Sequence, residues 1–318
     1  MVGIRIEPDN NDIVVWRLDE ATAPFVNSST SGSAPSHAVS DLNTLSGTVF
    51  TQQPTPFSAS GPGTGIQLLG NNSSSPRNFI GGANDFLPQP PITISFWYYQ
   101  RTYDSTGFTQ HGLDKQTTTG VWSGVTFNSI FVAQNRRYVS LASQFDFGFV
   151  TNSSGAGGNA IAVQDVTVPL NTWSYIGVTY DGTTLLSYIN GNNVGSATAS
   201  PTGNIYYSGT PGPWFIGAIP SGSGNPEEGQ FGMCDVRVAN VVRNQAYFQN
   251  IYQNAILNFS GAGGFITTYY KLRSFDVLFT STPVYWISTE ISYVGAPASP
   301  SGNGLGPIEV LETWKVEG

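Results

Sequence analysis

The sequence predicts an all-β protein, an antiparallel β-sandwich with one short helix and a C-terminal β extension. Three observations carry this. Composition is rich in turn formers and poor in charge. There are 37 Gly and 20 Pro against 10 % charged residues, yet 39 % hydrophobic residues, with 7 Trp, 15 Tyr and 19 Phe, are ample for a core. Such a balance favours strands joined by turns over helices. Short apolar runs recur along the chain, bounded by Gly, Pro, Asn or Asp, as in a sandwich. Finally, residues 172–191, TWSYIGVTYDGTTLLSYING, end each of two apolar runs on a hairpin dipeptide, Asp-Gly and then Asn-Gly.

The elements follow in order. DIVVWRL (12–18) is a short apolar strand, whereas residues 21–64 lack periodicity and are expected to pack over the surface as a loop or to carry function. GIQLLG (65–70) is a strand ending in the turn-like NNSSSPRN. In ITISFWYYQR (92–101), Ile92, Ile94, Phe96 and Tyr98 alternate with Thr93, Ser95, Trp97 and Tyr99. Further strands are expected at 126–133, 137–142, 145–150, 160–168, 173–180, 184–190, 213–218 and 230–239. Within 173–180, Ile176, Val178 and Tyr180 share a face, and Gly177 and Thr179 leave the other face light. Asp181-Gly182 and Asn190-Gly191 are expected to form type I′ turns, which need positive φ at both central residues. A one-residue slip would turn the apolar face outward, so the register is specified.

A helix is predicted over 243–254 from the spacing of Tyr247, Ile251 and Tyr252, with Asn244 as its cap. FSGAGGF, just after Asn258, reads as a joint between a domain at 1–258 and a β-rich extension at 259–318. That extension carries strand patterns within 265–294 and one at its end. No repeat of 20–50 residues is visible, which disfavours a solenoid or propeller.

The segment NTWSYIGVTYDGTTLLSYINGNNVG resembles the central motif of laminin-G-like domains, W-x-H-V-A-x-T-Y-D-G-x-x-x-x-L-Y-V-N-G. Four other blocks fit the same family in order: VVWRLDEATAPFVNSS, ITISFWYYQR, PWFIGAI and FGMCDVRVANVVRNQAYFQNIYQ. Together they span about residues 10–255 and resemble the concanavalin A-like lectin/glucanase superfamily, which implies a jelly-roll sandwich. Tyr175 replaces the family's usual His, Cys234 is atypical, the stretch 21–64 is long, and 259–318 lies outside the match.

Some members of that superfamily hydrolyse β-glucans with E-x-D-x-x-E, a carboxylate pair about 5.5 Å apart. The motif is absent here, and the adjacent Glu227 and Glu228 would face opposite ways on a strand and read as solvated loop residues. With only His37, His111 and Cys234, no zinc pattern exists, and Cys234 reads as a core residue. No GxSxG, P-loop or dinucleotide fingerprint occurs, so neither enzymatic activity nor a cofactor is expected. Asp19, Asp181, Asp235, Asn190, Asn192 and Asn193 carry oxygens suited to calcium. Turn formation by Asp181 and Asn190, and pairing of Asp235 with Arg237 or a backbone amide, explain them more simply, and no metal is expected. For glycan binding, exposed aromatics matter. Tyr103, Trp122, Tyr206 and Tyr207 are the candidate ligand-binding residues, and Trp214 also lies in a turn-rich segment. Trp16, Trp97 and Trp173 sit within predicted strands and read as core.

The net charge is −8 and the isoelectric point about 4.6. Three lysines (Lys115, Lys271, Lys315) and nine arginines, scattered apart from Arg136–Arg137, make no cationic track, so nucleic acid is excluded as a partner. No apolar run approaches the ~20 residues of a membrane span. The lone Cys and the start MVGIRIEPDNNDIVVW, without the marks of a secretory signal, suggest either synthesis in a reducing cytoplasm or a mature form lacking its leader, and the starting Met favours the first. These features together suggest a non-enzymatic virion protein, a bacteriophage capsid decoration, fibre or tail component. It would be made in the host cytoplasm and displayed on the virion surface. Its expected partners are other virion proteins, further copies of itself through the C-terminal segment, and host-surface carbohydrate. The alternatives are a free extracellular carbohydrate-binding module and, behind it, a glycan-cleaving enzyme.

Overall fold

The computed structural model describes residues 5–36, 40–44, 50–57, 65–69, 80–82, 87–101, 110–122, 125–135, 144–151, 159–198, 203–205, 211–217, 230–256, 267–274, 286–287 and 308–316. Strands in one layer are β1 (Asp12–Trp16), β3 (Phe50–Gln53), β4 (Gly65–Leu69), β6 (Ile92–Gln100), β11 (Trp173–Tyr180), β12 (Thr184–Ile189), β13 (Asn192–Thr198) and β15 (Gln230–Ala239). Their order is β13-β12-β11-β6-β15-β4-β3, with β1 also against β15. The second layer contains β2 (Asn43–Thr44), β5 (Ile80–Gly82), β7 (Gln110–Trp122), β8 (Val125–Asn135), β9 (Gln144–Thr151), β10 (Asn159–Thr167) and β14 (Pro211–Ile216). It runs β10-β9-β8-β7-β14-β5-β2. A separate three-stranded sheet joins β16 (Thr267–Ser274) to β17 (Trp286–Ile287) and β18 (Ile308–Val316). All named pairings are antiparallel, so the all-β sandwich expectation holds.

Alternation along β6 explains the core. Ile92, Ile94, Phe96 and Tyr98 join Ile176, Val178 and Tyr180 in one buried cluster with Phe131, Phe145, Phe147 and Phe149 of the opposite layer. Ring contacts stitch the layers together: Trp16 meets Trp214 edge-on at 5.7 Å, and Tyr98 meets Phe145 at 4.9 Å.

The other face of β6 and β11 is buried as well, under helix α1 (Gln245–Ile256). Trp97, Trp173, Tyr175, Tyr188 and Cys234 pack there with Phe248, Ile251 and Ala255. Gly177 makes room: a Cβ at that position would stand 2.2 Å from the Phe248 ring. The light face is thus a helix seat. The buried stripe of α1 is Phe248-Ile251-Ala255, not Tyr247-Ile251-Tyr252; the two tyrosines flank it, partly buried. Asn244 caps the helix as expected, its Oδ1 accepting the Tyr247 N–H at 3.0 Å.

Several other expectations need correction. At the first hairpin Tyr180 pairs with Leu185, and only Gly182 has positive φ (98°). The central pair is therefore Gly182-Thr183, matching a type II′ requirement, while the Asp181 carboxylate accepts the Thr183 and Thr184 amides. Asn190-Gly191 behaves as expected, with φ of 53° and 80°. The stretch 21–64 is not a plain surface loop. It supplies β2 and β3, Phe25 bridges Leu42, and the buried Asn27 accepts the Val15 amide at 2.9 Å. β7 and the polar edge strand β13 were not anticipated, and the expected strand at 137–142 lies outside the described residues.

A charge network, buried at Arg237, Asp235 and Asp12 and exposed at Asp9, fastens the N-terminal segment. Arg237 bonds Asp235 at 2.8 Å and the Ile6 carbonyl, and Arg243 bonds Asp9 at 2.6 Å and Asp12 at 3.1 Å. Asp235 sits at a β-bulge with φ 51°, which brings its carboxylate back to Arg237. Burial opposes the Arg237 charge most strongly, but the Asp235 carboxylate, together with Tyr175 and Tyr247, outweighs it and holds the guanidinium pKa up.

Candidate functional site

Where β6 ends beside the start of β11, Tyr99 and Trp173 stand opposite each other in register. Their rings are 5.4 Å apart and inclined at 56°. The chain enters β11 through Asn171, whose φ is 54° and whose amide donates to the Gln100 carbonyl at 2.7 Å. On the other side, the turn after β3 is held by the Trp173 indole, which donates to the Pro54 carbonyl at 3.1 Å. These segments enclose a cleft of about 500 Å³, with Gln53, Pro54, Tyr99, Arg101, Thr172 and Trp173 along its walls. That size suits a small organic ligand.

Two of the wall's polar groups are unengaged. Gln53 is 5 % exposed, and its Oε1 is buried without a hydrogen-bond partner. The Arg101 Nε is likewise buried without one. Gly232 makes room for two of the wall side chains: a Cβ there would lie 2.5 Å from Gln53 Oε1 and 3.2 Å from the Trp173 ring. The arrangement offers an aromatic wall for stacking and amide, guanidinium and hydroxyl groups for hydrogen bonds. No carboxylate lies among the wall residues named.

Set beside known proteins, residues 70–247 match a laminin-G-type family model described as the concanavalin A-like lectin/glucanases superfamily. That is more than half of the chain. It belongs to the concanavalin A-like lectin/glucanase superfamily. No curated protein sequence matches it significantly. Among solved structures, the binding domain of Paraclostridial Mosquitocidal Protein 1 superposes with a TM-score of 0.53 at 13 % identity, over 83 % of this chain and 61 % of that one. The receptor binding domain of botulinum neurotoxin type G gives 0.50 at 14 % identity, over 83 % and 57 %. The binding domain of botulinum neurotoxin DC in complex with SialylT gives 0.52 at 11 % identity, again over 83 % and 57 %. The chain thus spans about three-fifths of the length of these domains, and at such identity the likeness concerns the fold.

In this lectin/glucanase-type sandwich the expected site residues fall as follows. Tyr103, Tyr206 and Tyr207 lie outside the described residues, as do His37, Glu227 and Glu228. Trp122 is the last residue of β7, opposite Val125. Trp214 is no surface aromatic; it is fully buried against Trp16 because β14 directs it between the layers. Trp16 and Trp97 are core, as expected, whereas Trp173, 4 % exposed, also forms a wall of the cleft. Asp181 and Asn190 serve the turns, the latter also accepting the Tyr175 amide at 2.8 Å, and Asp19 pairs with Arg5 at 3.1 Å. Asn192 and Asn193 are exposed in β13. Cys234 is buried, and burial pushes its thiol pKa up, away from nucleophilic chemistry. Sequence reasoning missed Tyr99, Arg101, Gln53 and Thr172 as site residues. The clue was available in β6, where Tyr99 puts an aromatic ring on the face shared with Thr93 and Ser95, two residues before an arginine.

Proposed function

We propose that this chain is a non-enzymatic carbohydrate-recognition protein of the adhesion kind, with its sugar contact in the Tyr99–Trp173 cleft. One observation carries the reading: an aromatic pair opens into a cleft whose Gln53 and Arg101 polar atoms have no partner. A pyranose presents an apolar face and a rim of hydroxyls, matching that combination. Support comes from the superfamily and from structural neighbours named as binding domains, one of them in complex with SialylT. The setting we favour is a virion surface, with the C-terminal segment joining the chain to other virion proteins or to further copies of itself. A free extracellular module is the alternative setting and leaves the cleft's role unchanged.

The test is a glycan array followed by titration calorimetry of the best sugar. Tyr99→Ala is expected to weaken binding at least about tenfold, the equivalent of ~1.4 kcal/mol, with an unfolding midpoint close to that of the parent. Absence of any sugar hit overturns the reading. So does full affinity in Tyr99→Ala combined with loss in Trp122→Ala or Tyr206→Ala, which would move the contact to the turns.

A further inference from the structure

We infer that the cleft selects a carboxylate-bearing sugar, with Arg101 as the partner of the carboxylate. The inference rests on the glycan reading above and deepens it. The side chains of five arginines are described, and four of them are committed to carboxylates. Arg5 pairs with Asp19, Arg17 with Glu7, Arg237 with Asp235, and Arg243 with Asp9 and Asp12. Arg101 alone among them has no carboxylate partner, and its Nε is buried without a hydrogen bond. In a chain of net charge −8, acidic groups are available to pair such a guanidinium, and none among the described residues does so.

A half-buried cation without a counter-charge is costly unless a ligand supplies one. The guanidinium fork matches a carboxylate through two parallel N–H···O bonds, a geometry that also fixes the orientation of the attached ring. Beside it lies the Gln53 amide, 95 % buried, which adds a neutral hydrogen-bonding group. The Tyr99 ring, backed by Trp173, takes the apolar face of the same pyranose. Recognition therefore divides into an aromatic part common to all sugars and an ionic part that only an acidic sugar engages. Uronic acids and sialic acids share this carboxylate.

The experiment titrates the intact protein with four probes. These are a glucuronic acid-containing disaccharide, a sialic acid-ended trisaccharide, and the carboxyl-reduced form of each. Binding at least tenfold tighter to one acidic sugar than to its reduced form is expected, and which acid is preferred separates the two sources. Arg101→Gln should abolish that ratio, so that the acidic sugar binds no more tightly than its reduced form. For the parent protein, raising salt from 50 to 500 mM should weaken only the acidic sugar. Equal binding of acidic and reduced sugars, an unchanged ratio in Arg101→Gln, or preference for a sulfated sugar over both acids overturns the inference. In the first two cases, loss of all sugar binding in Tyr99→Ala leaves the wider glycan reading standing. No binding of any probe removes both.

Discussion

Gly177 shows how one residue sets a whole interface. It lies in the middle of β11, where glycine is a poor strand former, and the space above it is occupied by Phe248. Gly177→Ala should push the helix off the sheet and cost about 1–3 kcal/mol, the usual range for overpacking a filled core. Urea denaturation would read this as a lower midpoint, and an unchanged midpoint would mean that the helix seat is loose. The sequence displayed half of this arrangement. Gly177 and Thr179 marked a face too light to be a core by itself, but nothing local identified Phe248, 71 residues away, as the filler. Turn residues were easier to read, since positive φ is a property of the residue itself. Asn190-Gly191 followed the expected geometry, while Asp181 stepped outside the turn because its carboxylate is better used accepting two amides.

At the level of elements, helix α1 and the N-terminal segment are coupled through charge. Hydrogen bonding to Arg243 draws the Asp9 carboxyl pKa from 3.8 down to about 2. A carboxylate with a depressed folded-state pKa adds stability that is fully present above about pH 4 and is lost as pH falls towards 2. Asp9→Asn should therefore lower the urea midpoint at pH 6 and leave it close to the parent's at pH 2. Parallel pH profiles for parent and variant would show that the pair contributes nothing. The exposure of Asp9 keeps the expected effect small. Strands with strong alternation, β6, β11, β12 and β15, were recognisable within a residue or two of their ends. β7 was not, because QHGLDKQTTTGVW contains few strand formers and is ordered by its pairing with β8 and β14. The cleft was hidden for a related reason. Tyr99 and Trp173 are 74 positions apart, and only their register across two strands makes them one wall.

For the whole molecule, every described strand of the two sandwich layers comes from residues 12–239, and α1 covers the outer face of one layer before residue 257. The strands after it, β16 to β18, pair with one another. A chain ending at Ile256 should therefore unfold in a single transition with a midpoint near that of the full chain, and should keep its sugar binding. If it is made as an aggregate or melts much lower, the C-terminal sheet is part of the sandwich's own stability. The same comparison, made by size-exclusion chromatography, tests the proposed role of that segment in self-association: the full chain should elute as an oligomer and the shortened chain as a monomer.

Cys234 has a practical consequence. The sole sulfhydryl of the chain is fully buried in the aromatic cluster that includes Trp97, so alkylating and spin-labelling reagents should pass it by in the native state. A cysteine introduced at the exposed Thr172 would then be the one reactive handle, placing a reporter at the mouth of the cleft without first stripping the natural thiol from the protein.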